Sequence, residues 1–272
     1  MSDRVMKPSP ELKRAAALDD TLEKWLEGQL LANRSWFAER PTLVDVGAYH
    51  GKFSTQFLNL TPAIFDQAIL FEPNPENFDH LQRTLGAEAR IRLERKGCDA
   101  TGGKREFFCH GETFTGSLLP YADRAPADAT ASRPVELVTL DEYMMAAGKS
   151  QRLGLLKIDT QGNDLRVLRG AEQTLRKSRP WVISELIFAP LYVGQANPAA
   201  IAGWLSDLGY VCAGQFNEFY SRAGWLAWAD GCFVPRECVQ TGQAGYVKRP
   251  TAARAQKEWS FWRQLRRRWR GR

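Results

Sequence analysis

Apolar residues along this chain fall into short continuous runs, separated by longer stretches in which they recur every three or four positions. The short runs Leu43-Val-Asp-Val-Gly47, Ala68-Ile-Leu-Phe-Glu72, Ile91 to Lys96, Leu153 to Asp159 and Trp181-Val-Ile-Ser-Glu185 read as buried strands. Tyr210 to Ala213 and Gly231 to Val234 close the series as terminal strands. Between them, Lys52 to Leu60, Glu76 to Leu85, Leu165 to Lys177 and Pro198 to Leu208 have helical spacing. Upstream, Ser9-Pro10 reads as an N-cap followed by proline in the first turn, and Leu22, Trp25, Leu26 and Leu30 share one face of an amphipathic helix. Buried strands alternating with helices predict a parallel, doubly wound α/β sheet. The pattern changes from 101 to 138, where Arg105 to Cys109 and Pro134 to Val138 are β-like and Ala122 to Arg133 reads as an exposed loop. This is a β-rich insertion. The expected organisation is a helical extension over 1–40, one domain over 41–240 and a tail over 241–272.

Composition narrows the picture. With 272 residues, 44% hydrophobic and 25% charged, the chain suits one large globular domain and excludes a disordered or collagen-like polymer. Five scattered cysteines without a C-x-x-C pair predict reduced thiols, and no secretory h-region or membrane-length apolar run is seen. The cytoplasm is the expected compartment. The net charge of +6 is uneven: residues 248 to 272 hold ten Lys or Arg against Glu258, so the tail carries +9 and the rest −3. The basicity therefore says little about what the main domain binds.

Candidate chemistry begins at Asp45-Val-Gly-Ala-Tyr-His-Gly51, between a strand and a helix. Gly47 and Gly51 permit a tight turn and close backbone approach to a ligand. The spacing is not the G-x-G-x-x-G of dinucleotide sites, and an acidic Asp45 before the first glycine would repel a diphosphate. It could accept hydrogen bonds from an ammonium group. Glu72 ends the second strand, where Rossmann-like sheets hold ribose hydroxyls. Together these residues point to a positively charged nucleoside cofactor, S-adenosylmethionine. A lone D-x-G turn would otherwise be only a tight loop.

Five blocks in order resemble the FkbM family of class I methyltransferases. They are Asp45 to Gly51, Leu70-Phe-Glu-Pro-Asn-Pro75, the Gly116-Ser117 turn, Val138-Thr-Leu-Asp141, and Lys157-Ile-Asp-Thr-Gln-Gly162 with Val167-Leu-Arg-Gly-Ala171. The resemblance implies a Rossmann-like seven-stranded sheet, S-adenosylmethionine as methyl donor and a hydroxyl acceptor on a sugar or secondary metabolite. It implies Asp45, Gly47 and Gly51 around the methionine part, Glu72 at the ribose, Asp99 at the adenine, and Ala48 and Pro73 as adjoining cofactor contacts. Asp99 reads equally well as an Asx turn. Many members have Asn where this chain has Tyr49, and an acidic D-V-E-G-x-E block where it has Asp159-Thr-Gln-Gly-Asn-Asp164, so no role of a glutamate at 161 carries over.

Asp159, at the end of its strand, is the first candidate for general base on the acceptor hydroxyl, for orienting it, or for holding a divalent cation. Its alternative reading is a helix cap. Glu185 is the second carboxylate on the acceptor side, and Lys157 points to the same side of the strand as Asp159. His50 in the glycine loop suits proton transfer or a bond to loop backbone, while His80 reads as a solvent-exposed helix residue. His110 and Ser117 are candidates for the acceptor wall. Phe216, Phe219, Tyr220, Trp225 and Trp228 suit a sugar-stacking wall or a core. No N-P-P-[YF], Pro-Cys, G-x-S-x-G, H-E-x-x-H or Walker A pattern is present, which disfavours methylation of a base's exocyclic amine, cytosine C5 chemistry, serine hydrolysis, zinc proteolysis and ATP hydrolysis.

Trp259, Trp262, Leu265 and Trp269 recur at helical spacing among seven arginines. Such a segment suits an anionic membrane surface, leaving the enzyme peripheral to the inner membrane face, or contact with glycan-assembly proteins through 254–272. Nucleic acid and a simple solvated tail are the alternatives. The rival functions are an RNA methyltransferase recruited by the tail and a non-catalytic interaction protein that keeps a cofactor fold.

Overall fold

Strand pairing joins the apolar runs into two sheets in a computed structural model that describes residues 21–61, 64–109, 116–122, 132–146 and 152–239. In chain order the strands are β1 (Thr42–Val46), β2 (Ala68–Phe71), β3 (Ile91–Glu94), β4 (Gly97–Cys98), β5 (Gly103–Phe108), β6 (Ser132–Val138), β7 (Leu153–Ile158), β8 (Trp181–Ile187), β9 (Tyr210–Tyr220) and β10 (Leu226–Pro235). Seven form one sheet in the order β3-β2-β1-β7-β8-β10-β9, with β10 antiparallel between β8 and β9. The insertion forms a small second sheet, β4-β6-β5. The helix start at Ser9-Pro10, His110, most of the loop 122–133 and the basic segment 248–272 lie outside the described residues.

The side-chain alternation of a strand distributes the runs onto two cores. Val44, Val46, Ile69, Phe71, Leu156 and Ile158 face one side. There they meet Val167 and Leu168 of α5 (Asp164–Arg169), Leu175 of α6 (Glu172–Ser178) and Ile201 and Leu205 of α7 (Pro198–Asp207). Leu43, Leu70, Leu155 and Ile183 face the other side, where Leu22, Leu26 and Leu30 of α1 (Leu22–Ala32) pack with Phe57 of α2 (Lys52–Leu60) and Leu81 of α3 (Pro75–Leu85). Both faces are covered, so the central strands need no polar alternation. Asn74 and Asn197 cap α3 and α7 by accepting from Glu76 N and Ala199 N.

Three elements differ from the sequence expectation. The helix expected over 165–177 is two helices, because Gly170 packs against backbone: a Cβ there would lie 2.1 Å from the carbonyl oxygen of Asp99. The terminal strands are longer than Tyr210–Ala213 and Gly231–Val234, forming a hairpin whose β9 is largely exposed. A further helix, α4 (Leu140–Ala146), lies between β6 and β7 and buries Leu140 and Met144.

Candidate functional site

The chain builds β1, β2 and β3 outward in one direction and then returns to place β7 on the opposite flank of β1. Such a reversal opens a crevice beyond the carboxyl ends of the two central strands. A cavity of about 250 Å³ lies there, lined by Gly47, Tyr49, Glu72, Pro73, Asp159 and Gln161, with Phe107 and Leu118 contributed by the insertion.

Gly47 shapes its floor. It adopts φ +79°, and a Cβ would stand 2.0 Å from the Asp159 carbonyl oxygen, so the β1 and β7 tips touch backbone to backbone. Glu72 is 4% exposed, and its two oxygens accept from Tyr49 N at 2.8 Å and Asn74 N at 2.9 Å. Burial raises its carboxyl to about 7 despite these bonds. The Glu72 carboxyl thus lines the cavity, with its ionisation moved toward neutrality by burial.

A charged row crosses the face that carries Leu43 and Leu155. Asp45 pairs in register with Lys157, and Asp230 with Glu185. Asp45 is fully buried; its Oδ2 accepts from Ser54 Oγ at 2.8 Å, and Oδ1 lies 3.3 Å from Lys157 Nζ, in ion-pair range without hydrogen-bond alignment. Burial pushes the Asp45 carboxyl up, with the Lys157 charge opposing it. Burial works against the Lys157 ammonium, but Asp45, Asp159 and Asp230 outweigh it, and the lysine stays charged. The ammonium that Asp45 meets is therefore the protein's own.

Asp159 opens into the cavity with its side chain 39% exposed. Its Oδ2 lies 3.4 Å from Lys157 Nζ, and its Oδ1 accepts from Gln161 Nε2 at 3.1 Å. Gln161 Nε2 also donates to Glu185 Oε2 at 3.1 Å. Burial, then repulsion from Asp159, Asp164 and Asp230, raises the Glu185 carboxyl well above the usual range. The helix-capping task considered for Asp159 is not seen: Asn163 is the N-cap of α5 and no side chain caps it, while Asp164 ties the β7 tip to β8 by accepting from Thr160 Oγ1 at 2.7 Å, Ser184 Oγ at 3.0 Å and Glu185 N at 3.0 Å. Burial raises Asp164 to about 7.

Other expected residues stand elsewhere. Asp99 has a fully buried side chain, held by Arg166 at 2.6 and 3.0 Å, by Ala100 N and by Arg105. Burial disfavours its ionisation, yet these bonds hold its carboxyl below the usual range. Both oxygens are thus engaged by the protein, which gives an adenine contact no support. Gly51 abuts Leu85 and Leu81 in the core, and Ala48 belongs to the same core, its backbone N donating to Phe71 O. Neither lines the cavity. Ser117 is buried and joins the insertion to the β7 loop by donating to Gln161 O at 2.7 Å. Lys157 lies beneath the site as a counter-ion, away from the cavity lining. His50 is stacked between Tyr49 at 3.7 Å and His80 at 3.9 Å, outside the lining, and burial followed by repulsion from His80 lowers its pKa. His80 is half-buried by that stack. The divalent cation considered at Asp159 gains no support: among the described residues no group of three or more His, Cys, Asp or Glu is arranged for a metal, and the cation beside Asp159 is the Lys157 ammonium. Phe216 is buried against Trp25 and belongs to the core, whereas Phe219 and Trp228 stack at 4.8 Å near the surface.

Gln161 and Tyr192 were not singled out from the sequence as functional residues, although Gln161 lies only two positions beyond Asp159. Among the described residues no helix is long and apolar enough to cross a membrane.

A family model described as "Methyltransferase FkbM domain" matches residues 45–212. The 2-O-methyltransferase NoeI of Sinorhizobium fredii is 25% identical over 213 residues, covering 74% of this chain and 79% of that protein. Among solved structures, methyltransferase FkbM from Methylobacillus flagellatus KT aligns over 82% of this chain at 14% identity and a TM-score of 0.45. The chain spans 58% of that structure's length. Magnesium protoporphyrin IX methyltransferase ChlM from Synechocystis PCC 6803, solved with S-adenosylmethionine bound, aligns over 83% of this chain and 89% of that one, at 11% identity and a TM-score of 0.40.

Proposed function

The chain belongs to the FkbM methyltransferase family and is an S-adenosylmethionine-dependent methyltransferase; on that premise we propose that it methylates a hydroxyl, that of a sugar in a surface glycan, glycolipid or secondary metabolite. One observation carries the reading: Asp159 and Glu72 open into the same cavity across the Gly47 backbone. The cofactor, when bound, supplies an electrophilic methyl group on a sulfonium. Gly47 leaves room for close backbone approach, and the Glu72 carboxylate accepts hydrogen bonds from ribose hydroxyls, with Pro73 beside it. Phe107 and Leu118 exclude water from the same space. Asp159 takes the proton of the acceptor hydroxyl on its carboxylate, with Lys157 balancing its charge.

An oxygen acceptor is supported by the name of the Sinorhizobium relative, a 2-O-methyltransferase. A sugar is supported by the aromatic cluster adjoining the carboxylates. Tyr121 stacks on Tyr192 at 4.9 Å, Trp228 packs against the small cluster of Leu119, Ile187 and Tyr192, and Phe219 stacks on Trp228. The C–H faces of a pyranose pack well on such rings. The sequence of 254–272 supports delivery to lipid-linked acceptors at the inner membrane face as part of the same reading.

The test is transfer of labelled methyl from S-adenosylmethionine to a panel of sugars, lipid-linked glycans and total RNA. The expected product is an O-methyl sugar identified by mass spectrometry. Label entering RNA, in a reaction that collapses as salt is raised, would replace this reading with the RNA alternative.

Glu72 adds a pH dependence. Only its ionised form accepts two ribose hydroxyls, and it ionises at about 7 in the free protein. Affinity for S-adenosylhomocysteine should therefore rise with pH, by about 10-fold from pH 6 to pH 8. Calorimetry in buffers of different ionisation enthalpy should show proton release on binding at pH 6. In Glu72→Gln, both the rise and the proton release should vanish.

A further inference from the structure

Gln161 stands at φ +54° in the left-handed region, followed by Gly162 at φ +93°. A residue with a Cβ is held there only when its surroundings fix it. Here four bonds do so. Its carbonyl accepts from Ser117 Oγ at 2.7 Å, its Oε1 accepts from the Tyr192 hydroxyl at 2.6 Å, and its Nε2 donates to both Asp159 Oδ1 and Glu185 Oε2. Carboxylate oxygens only accept, so the NH₂ side of the amide must face them, and the carbonyl side is left for Tyr192. Tyr192 is 3% exposed and is pinned by its stack on Tyr121.

We propose that Gln161 is a positioning residue that ties the Asp159 and Glu185 carboxylates together through one amide, with the Tyr192 hydroxyl fixing which way that amide faces. The proposal rests on the reading of Asp159 as proton acceptor and deepens it: the base does not swing freely in the cavity but is tethered at one oxygen, leaving the other toward Lys157. The groups facing Glu185 are Asp159 and Lys157 from β7 and its tip, Asp164 from α5, and Asp230 from β10, with Tyr192 close by. Among these only Lys157 is cationic, so a donor such as the Gln161 amide is what allows two carboxylates to stand together. A glutamate at 161 would replace that donor by a third acidic group and break the bridge.

The test reads Glu185 itself, by carbon-13 NMR of the side-chain carboxyl across a pH titration, in wild type, Gln161→Met and Tyr192→Phe. Loss of the amide donor in Gln161→Met should move Glu185 ionisation to a pH higher by about 1. Tyr192→Phe should move it the same way by less, because the amide is then free to turn over. Identical Glu185 titrations in all three proteins would overturn the proposal. Should Gln161→Met fail to fold, Tyr192→Phe alone decides it. S-adenosylhomocysteine calorimetry on wild type is run alongside: absence of binding there defeats the functional reading, while the titration still decides the role of Gln161.

Discussion

Asp159→Asn is expected to lower the turnover of methyl transfer by about 10²–10⁴-fold, while S-adenosylhomocysteine affinity changes by no more than about 3-fold. Asparagine has the same shape, and its Oδ1 can still accept from Gln161 Nε2, so the local structure persists. What is lost is the anionic proton acceptor at the cavity. Glu185 does not replace it: its side chain is not part of the cavity lining, and burial with the neighbouring acids raises its carboxyl. Lys157 keeps Asp45 as its partner, so the charge row beneath survives. Steady-state kinetics on the identified acceptor, with calorimetry as control, check the prediction. Turnover within about 10-fold of wild type would place the base elsewhere.

Gly47→Ala should be the most damaging single-methyl substitution in the site. The residue is at φ +79°, and the added Cβ would lie 2.0 Å from the Asp159 carbonyl oxygen. That neighbour is backbone, and Asp159 N is bonded to Val46 O at 2.9 Å, so no rotamer change relieves the overlap. The tips of β1 and β7 must separate. The left-handed conformation alone costs about 1–2 kcal/mol; with the overlap the destabilisation should reach roughly 3 kcal/mol or more. Gly194 provides the matched control, having the same φ of +79° with nothing within 4 Å of its Cβ position. Gly194→Ala should thus show only the conformational part, about 1–2 kcal/mol. Denaturant unfolding of both variants separates strain from collision. Equal losses would mean that the β1–β7 contact contributes nothing.

The strands nearest the site were legible because they are buried on both faces. Continuous runs such as Ala68-Ile-Leu-Phe71 leave few alternatives once glycine and proline punctuate them. Edge strand β9 was legible only at its start, since Gly214, Gln215, Asn217 and Glu218 break the apolar pattern and its length comes from pairing with β10. The break at Gly170 depends on the approach of Asp99 backbone, a contact between residues distant in sequence. The same divide separates the site residues. Gly47, Glu72 and Asp159 could be placed because the end of a strand is itself a sequence feature. The ion pair of Asp45 with Lys157 is invisible in the sequence, because it needs β1 set in register against β7. Asp99 likewise needs Arg105 and Arg166 around it before its two oxygens are accounted for. Gln161 carries no charge and departs from the glutamate its family block has at that place, so no role carries over to it, and its own depends on Tyr192 coming from the loop after β8.

The central claim is that the cavity at the tips of β1, β2 and β7 brings cofactor and acceptor hydroxyl together between Glu72 and Asp159. A crystal structure of the chain with S-adenosylhomocysteine tests it most directly. The account predicts the ribose hydroxyls on the Glu72 carboxylate, the amino-acid part passing over Gly47, and the sulfur directed toward Asp159. A nucleoside bound away from Glu72, or a sulfur turned away from Asp159, would contradict it.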